Sequence, residues 1–161
     1  MKRLPIFLFT VASLVGATRD YSAACSAVFP AATGAMTAAH FEPKVSDATG
    51  GVLTLAYIGD PMVFNFMVKH ANPFLEKYVE NGEKLRNKFR GLSYASANFT
   101  FAPSGDGCRV NLTVGLVGLD TAPGNRDASG KFGAWQQTAK PLTSNGAAEI
   151  EFLDAIARTV R

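Results

Sequence analysis

The chain has 161 residues, of which 47% are hydrophobic and 18% charged, with 16 Lys and Arg against 13 Asp and Glu. This composition excludes disorder throughout, because the apolar fraction is that of a globular protein and the net charge is small. Two cysteines and two histidines exclude a disulfide-dense scaffold, and they do not stand at the spacing of a zinc site. One domain of ordinary size is therefore expected.

Residues 1–17 have the three-part pattern of a secretory signal peptide. Lys2 and Arg3 form a short positive region, residues 4–16 are uncharged and mostly apolar, and small residues lead up to Ala17. The apolar stretch is shorter than the about 20 residues that a transmembrane helix needs. We therefore expect cleavage after Ala17 and export to the periplasm or the extracellular space, with no transmembrane span in the mature form.

The basic character of the chain belongs mostly to this leader. Lys2 and Arg3 supply two of its three net positive charges. The mature protein is therefore nearly neutral, and its composition does not indicate nucleic-acid binding.

Cys25 and Cys108 are expected to form a disulfide, because exported proteins with an even cysteine count commonly pair their cysteines. The chain-entropy model gives a bridge over so long a loop about 4–5 kcal/mol of stabilisation. Lipid attachment at Cys25 is the less favoured alternative. Ser22 stands where a lipoprotein carries a branched apolar residue, and Arg19 and Asp20 separate Cys25 from the apolar stretch.

Alanine dominates residues 22–39, and neither a helical nor a strand period persists there. Residues 18–50 are therefore predicted to form an Ala-rich flexible arm or linker, with a short helix as the alternative for part of it, since alanine is a strong helix former. The folded domain is predicted to occupy residues 51–161, opening with a buried strand over 52–58. Residues 62–68 are apolar on nearly every side and are predicted to be a buried helix or a second strand.

From Asn72-Pro73 onward, apolar residues recur at helical spacing and charged residues occupy the other side. This pattern predicts one long amphipathic helix over residues 73–90, which ends at Gly91. A second helix is predicted over residues 146–160, where acidic residues stand early and Arg158 stands late, as the helix dipole favours. Its predicted apolar stripe is Ile150, Leu153, Ile156, Ala157 and Val160.

Two alternating stretches predict a β-hairpin, with residues 103–107 as its turn. Residues 94–101 place Ala95, Ala97, Phe99 and Phe101 on the apolar face. Residues 108–116 alternate in the same way and place Cys108 inward. Residues 120–133 are predicted to form a loop, and residues 132–139 a further strand. The predicted fold class is α+β, a small, mainly antiparallel sheet packed by the long helix and the C-terminal helix.

We find no catalytic, metal-ligating or cofactor-binding motif in the sequence. His40 and His70 lack Glu, Asp or Cys at ligand spacing. The most distinctive charged feature is a cationic set near the end of the predicted long helix. It is interpreted as a solvated helix end, or as a contact for anionic lipid, polysaccharide or an acidic protein. Its members are Lys84, Arg86, Lys88 and Arg90.

The C-terminal half resembles the accessory domains of periplasmic assembly lipoproteins in architecture. The resemblance consists of the alternating hairpin that ends at residues 117–121, a Gly-containing turn, an aromatic residue near Trp135 and a closing helix. It implies a similar arrangement of elements and no particular activity.

These observations favour an exported, non-catalytic binding or structural module of the cell envelope, with an envelope protein, lipid or polysaccharide as partner. One alternative is a small secreted hydrolase whose site combines scattered residues such as Asp120, Arg126 and His70. Another is a carrier that holds an apolar ligand in a Phe-rich interior, since the chain has 12 Phe.

Overall fold

The computed structural model describes residues 16–60, 62–63, 73–85, 88–89, 91–122, 125, 128–131, 133 and 136–160. The strands are β1 (Ala17–Tyr21), β2 (Phe41–Asp47), β3 (Val52–Tyr57), β4 (Met62–Val63), β5 (Gly91–Ser104), β6 (Gly107–Ala122) and β7 (Gln136–Leu142). The helices are α1 (Cys25–Ala38), α2 (Pro73–Tyr78), α3 (Gly82–Leu85) and α4 (Ala147–Thr159).

The strands form one antiparallel sheet in the order β1-β6-β5-β3-β2. The long strand β6 carries β1 along one half of its outer edge and β7 along the other half, while β4 pairs with β5 beside β3. The predicted α+β class with a mainly antiparallel sheet is confirmed. Residues 1–15, 64–68 and 134–135 lie outside the described residues, whereas Met62 and Val63, the start of the predicted apolar segment, form β4.

The predicted hairpin is confirmed as β5 and β6, with Gly105 and Asp106 at the turn. Gly105 has a φ of 59°, which glycine adopts without the steric cost that a side chain would bring. Ala97, Phe99 and Phe101 are buried as the alternation predicts, but Ala95 is exposed. The register shifts between Tyr94 and Ser96, so Ala95 is the extra residue of a β-bulge and leaves the inward face.

The prediction of a flexible arm over residues 18–50 is wrong. Residues 17–21 pair with β6, and residues 41–47 form the edge strand β2. Between them α1 buries Val28, Ala32 and Met36, which recur every four residues and so lie on one side of the helix. The abundant alanines support helix formation, and the buried stripe docks the segment on the sheet.

The prediction of one helix over residues 73–90 is also wrong. The helix ends at Tyr78, and α3 begins only at Gly82. Val79 leaves the helix to form an isolated antiparallel bridge with Ser144, and Asn81 takes a left-handed φ of 54°. A tertiary strand contact therefore interrupts a segment whose residues by themselves favour continuous helix.

Helices α1 and α4 pack on the face of the sheet to which Phe99, Val110 and Leu112 point. The predicted C-terminal helix is confirmed as α4, and its Leu153 and Ile156 enter the core. Ile150 does not, since it is 55% exposed. The core rings pack ring to ring, with centroid separations of 4.9 Å for Phe29 and Phe101 and 5.6 Å for Phe41 and Phe152.

Candidate functional site

A groove of about 480 Å³ lies between the α2–α3 connection and the end of β7. Its volume falls in the range of small-molecule binding clefts, roughly 300–1,000 Å³. Apolar residues form one part of its wall, and polar or charged residues form the rest. The lining comprises Val79, Leu85, Pro141 and Leu142, together with Glu80, Asn81, Lys84 and Thr143.

Backbone hydrogen bonds hold the two sides of this groove together. The Glu80 N–H donates to the Thr143 carbonyl at 2.9 Å, and the Asn145 N–H donates to the Tyr78 carbonyl at 3.0 Å. The Asn145 side-chain amide donates to the Lys77 carbonyl at 2.9 Å. The groove is thus built on paired backbone, and its Val79, Leu85 and Leu142 belong to or pack against the hydrophobic core.

The turn between α2 and α3 depends on a glycine. A Cβ at Gly82 would lie 1.8 Å from the Leu75 carbonyl oxygen, so no other residue fits without a backbone shift. This close approach lets the chain reverse direction directly after α2. It places Glu80 and Lys84 on the groove.

Glu80 and Lys84 supply opposite charges to the same groove. Both side chains are exposed, and neither forms an ion pair with any residue in the described part of the chain. A carboxylate accepts hydrogen bonds, whereas an ammonium group donates three. The groove therefore offers one anionic and one cationic contact beside an apolar wall.

The cationic set that the sequence singled out is only partly brought to this groove. Lys84 lines it, whereas the Lys88 ammonium lies 5.7 Å from the centroid of the Phe89 ring, and Lys88 is not part of the lining. Because α3 ends at Leu85, Lys84 and Lys88 do not lie on one continuous helix, as the predicted helix over residues 73–90 would place them. Arg86 and Arg90 lie outside the described residues.

A network of polar side chains joins α2 to α4 beside the groove. The Tyr78 hydroxyl donates to Glu151 at 2.7 Å, and the Lys77 ammonium lies 2.5 Å from the other oxygen of that carboxylate. Partial burial works to raise the pKa of Glu151, but the hydrogen bonds from Lys77 and Tyr78 outweigh it and hold that pKa below its usual value. Burial, together with Tyr78, raises the pKa of Tyr94 well above the ordinary tyrosine value, so Tyr94 stays neutral at physiological pH.

Glu149 has a structural role that the sequence analysis missed. It is one of the acidic residues early in α4 whose order favours the helix dipole, and its side chain is fully buried, with 0% exposure. Its carboxyl group accepts hydrogen bonds from the Val114 N–H at 2.9 Å and from the Ser144 hydroxyl at 2.7 Å. Its position four residues before Leu153 could have indicated an inward direction.

The position of Glu149 explains why it is buried. On the outer edge of β6, pairing with β1 stops at Leu112 and pairing with β7 starts at Leu116. The Val114 N–H lies in the gap between these two strands and has no strand partner there. Glu149 satisfies this donor, so it completes the sheet edge and is a structural residue.

The expected disulfide is present. Cys25 and Cys108 have an S–S distance of 1.99 Å and a Cα–Cα distance of 4.8 Å, and the bridge joins the start of α1 to the start of β6. A structural disulfide of this kind fits an oxidising compartment. Within the residues that are described, no helix is both long enough and apolar enough to cross a membrane.

Of the residues named for a hydrolase, only Asp120 lies within the described structure. Asp120 pairs with Lys140 across β6 and β7 at 3.3 Å, while Arg126 and His70 lie outside the described residues. Over the described ranges, no three His, Cys, Asp or Glu side chains group closely enough to hold a metal ion.

Comparison with known proteins finds no protein-family model that matches the chain, and no curated protein that matches it.

Proposed function

We propose that this protein is an exported, disulfide-stabilised binding module that holds a charged group of an envelope or extracellular partner in the groove beside Lys84. The observation that carries this proposal is the pair of opposite charges, Glu80 and Lys84, on a groove of about 480 Å³ whose two sides are joined by backbone hydrogen bonds. Neither side chain forms an ion pair with another residue among those the structure describes.

Two further observations support the exported location. The Cys25–Cys108 bridge is typical of proteins that fold in an oxidising compartment. The sequence of residues 1–17 has the composition of a signal peptide, and the first strand begins at Ala17, where cleavage is expected. Cleavage there leaves Thr18 to Tyr21 to pair with β6.

The alternative function, a carrier that holds an apolar ligand in a Phe-rich interior, is less well supported than ligand binding in the groove. Many of the described aromatic side chains contact one another, as in the pairs Phe29–Phe101 and Phe99–Phe101, with centroids 4.9 and 5.8 Å apart. Rings that pack in this way fill the interior themselves.

Photo-crosslinking in intact cells of the native host tests the proposal. A photoreactive residue at Thr143, inside the groove, should give a discrete adduct in the exported fraction. The same residue at Arg158, an exposed position late in α4, should give much less. The exported protein should begin at Thr18, and its two thiols should react only after reduction.

An unprocessed chain in the cytosol with both thiols reactive would overturn the exported location. Equal cross-linking from positions 143 and 158 would show that the groove is not a binding site.

A further inference from the structure

We infer that the ligand of the groove is a short peptide or amino-acid-like group that carries both a free carboxylate and a free ammonium. This inference rests on the proposed function and names its ligand class. The groove brings Lys84 and Glu80 to one cleft with Val79, Leu85 and Leu142, which form an apolar wall.

The charge pattern favours a ligand with two opposite charges over a simple anion. A polyanion would gain from Lys84 but would be repelled by Glu80, which lines the same groove. A polycation would meet the reverse situation. A zwitterion can satisfy both side chains at once, with its carboxylate on the Lys84 ammonium and its ammonium on the Glu80 carboxylate.

Glu80 and Lys84 are paired neither with each other nor with another charged residue of the described part of the chain. No ion pair joins Glu80 to Lys84 in the described structure, although they stand four residues apart in the chain. In a continuous helix this spacing would bring the two side chains together. The break at Asn81, whose φ is 54°, leaves Glu80 in the turn before α3 and Lys84 within α3, so the two side chains do not share one continuous helix.

The apolar part of the groove lining indicates which kind of side chain the ligand carries. Leu85 and Leu142 are only partly buried and offer a surface for a small aliphatic group, whereas Val79, with 3% exposure, backs the wall from beneath. A dipeptide with an aliphatic residue therefore matches both the charges and the wall. Peptides with free amino and carboxyl groups are the chemical class that we expect.

An NMR titration of the oxidised protein with alanyl-leucine and its two blocked forms tests this inference. We expect the free dipeptide to shift amide signals of the groove and to bind about three- to fivefold more tightly than its N-acetyl or C-amide form, as for one exposed ion pair. Lys84→Gln should abolish the discrimination against the C-amide form. Glu80→Gln should abolish the discrimination against the N-acetyl form.

Two neighbouring variants serve as matched controls. Glu83→Gln and Lys88→Gln each remove the same charge at an exposed position outside the groove lining, so both should keep the wild-type preference. Poly-glutamate tests the simple anion and should bind more weakly than the dipeptide.

The inference is overturned if the blocked dipeptides bind as tightly as the free one, if poly-glutamate binds more tightly, or if none of these probes shifts the groove signals. Each of these results would leave the cross-link from position 143 unaffected. Loss of that cross-link instead would refute the proposed function itself.

Discussion

The two ends of the outer edge of β6 are built differently. At one end β1 pairs with β6 beside the disulfide, and the Tyr21 hydroxyl donates to the Leu153 carbonyl at 2.8 Å. At the other end β7 pairs with β6, but most of its described side chains are exposed, and backbone hydrogen bonds attach it to the short α2–α3 segment. We call these the β1 end and the β7 end.

This difference indicates that stability resides mainly at the β1 end and that binding is expected at the β7 end. A covalent bridge and buried apolar side chains give the β1 end the greater resistance to local opening, whereas exposed backbone hydrogen bonds allow the β7 end to open more easily. Ligand sites commonly lie on such connecting segments, held in place by a rigid scaffold. The groove at the β7 end follows this pattern.

Removal of the disulfide should have the largest effect on the β1 end. The double variant Cys25→Ala, Cys108→Ala should lose about 4–5 kcal/mol of unfolding free energy, because the bridge spans 83 residues in sequence. Urea unfolding of the variant and of the oxidised wild type measures the difference. A loss below about 1 kcal/mol would mean that the bridge does not dominate the stability of this end.

Glu149 lies at the gap between the two ends, where it accepts a hydrogen bond from the Val114 N–H. Glu149→Ala should lower the free energy of unfolding by about 2–3 kcal/mol, because it leaves this buried N–H without an acceptor. Glu151→Ala, two residues further along α4, is the matched control. Its carboxylate is half exposed, so less than about 1 kcal/mol should be lost. Equal losses in urea unfolding would contradict the role assigned to Glu149.

Gly82→Ala should affect the β7 end most. The added Cβ would collide with the Leu75 carbonyl, so the α2–α3 turn must rearrange. We expect this to lower the free energy of unfolding by about 2 kcal/mol. Hydrogen exchange should speed up at the amides of Val79 to Lys84 more than in β1.

The control for this variant is Gly34→Ala in α1, where the new Cβ would have no atom within 4 Å apart from the adjoining backbone of its own helix and its two chain neighbours. It should stabilise the protein by about 0.5–1 kcal/mol, because alanine loses less backbone entropy than glycine in a helix. Acceleration of exchange throughout the sheet by Gly82→Ala would show that the two ends open as one unit.

Tyr21 should produce a smaller, pH-dependent effect at the β1 end. Burial raises its pKa to about 12, from an ordinary value of 10.0. The neutral form is therefore favoured in the folded state, and its contribution is complete below pH 10 and is lost as pH rises from 10 toward 12. Wild-type stability should fall by about 2 kcal/mol more than that of Tyr21→Phe over this interval. Parallel pH profiles of the two proteins in urea unfolding would refute the assignment.

Strong local patterns predicted part of the fold. The hairpin of β5 and β6 follows from alternation with a period of two, and α4 follows from apolar residues such as Leu153 and Ile156 at helical spacing. The pairing of Cys25 with Cys108 follows from the cysteine count together with the expected export. Of the residues that line the groove, the sequence analysis singled out only Lys84. The groove depends on a turn between α2 and α3, and the sequence pattern of that segment predicts a continuous helix instead.

By itself, the sequence determined the class of the fold, its central hairpin, its last helix and its disulfide, because each depends on a local period or on a rare residue type. The tertiary structure decided three other features. The Ala-rich segment became β1, α1 and β2 because the sheet supplied an edge for its strands and an apolar surface for Met36. The 73–90 segment broke because Val79 bridges to Ser144. Glu149 turned inward because a gap between β1 and β7 left an amide that needed an acceptor.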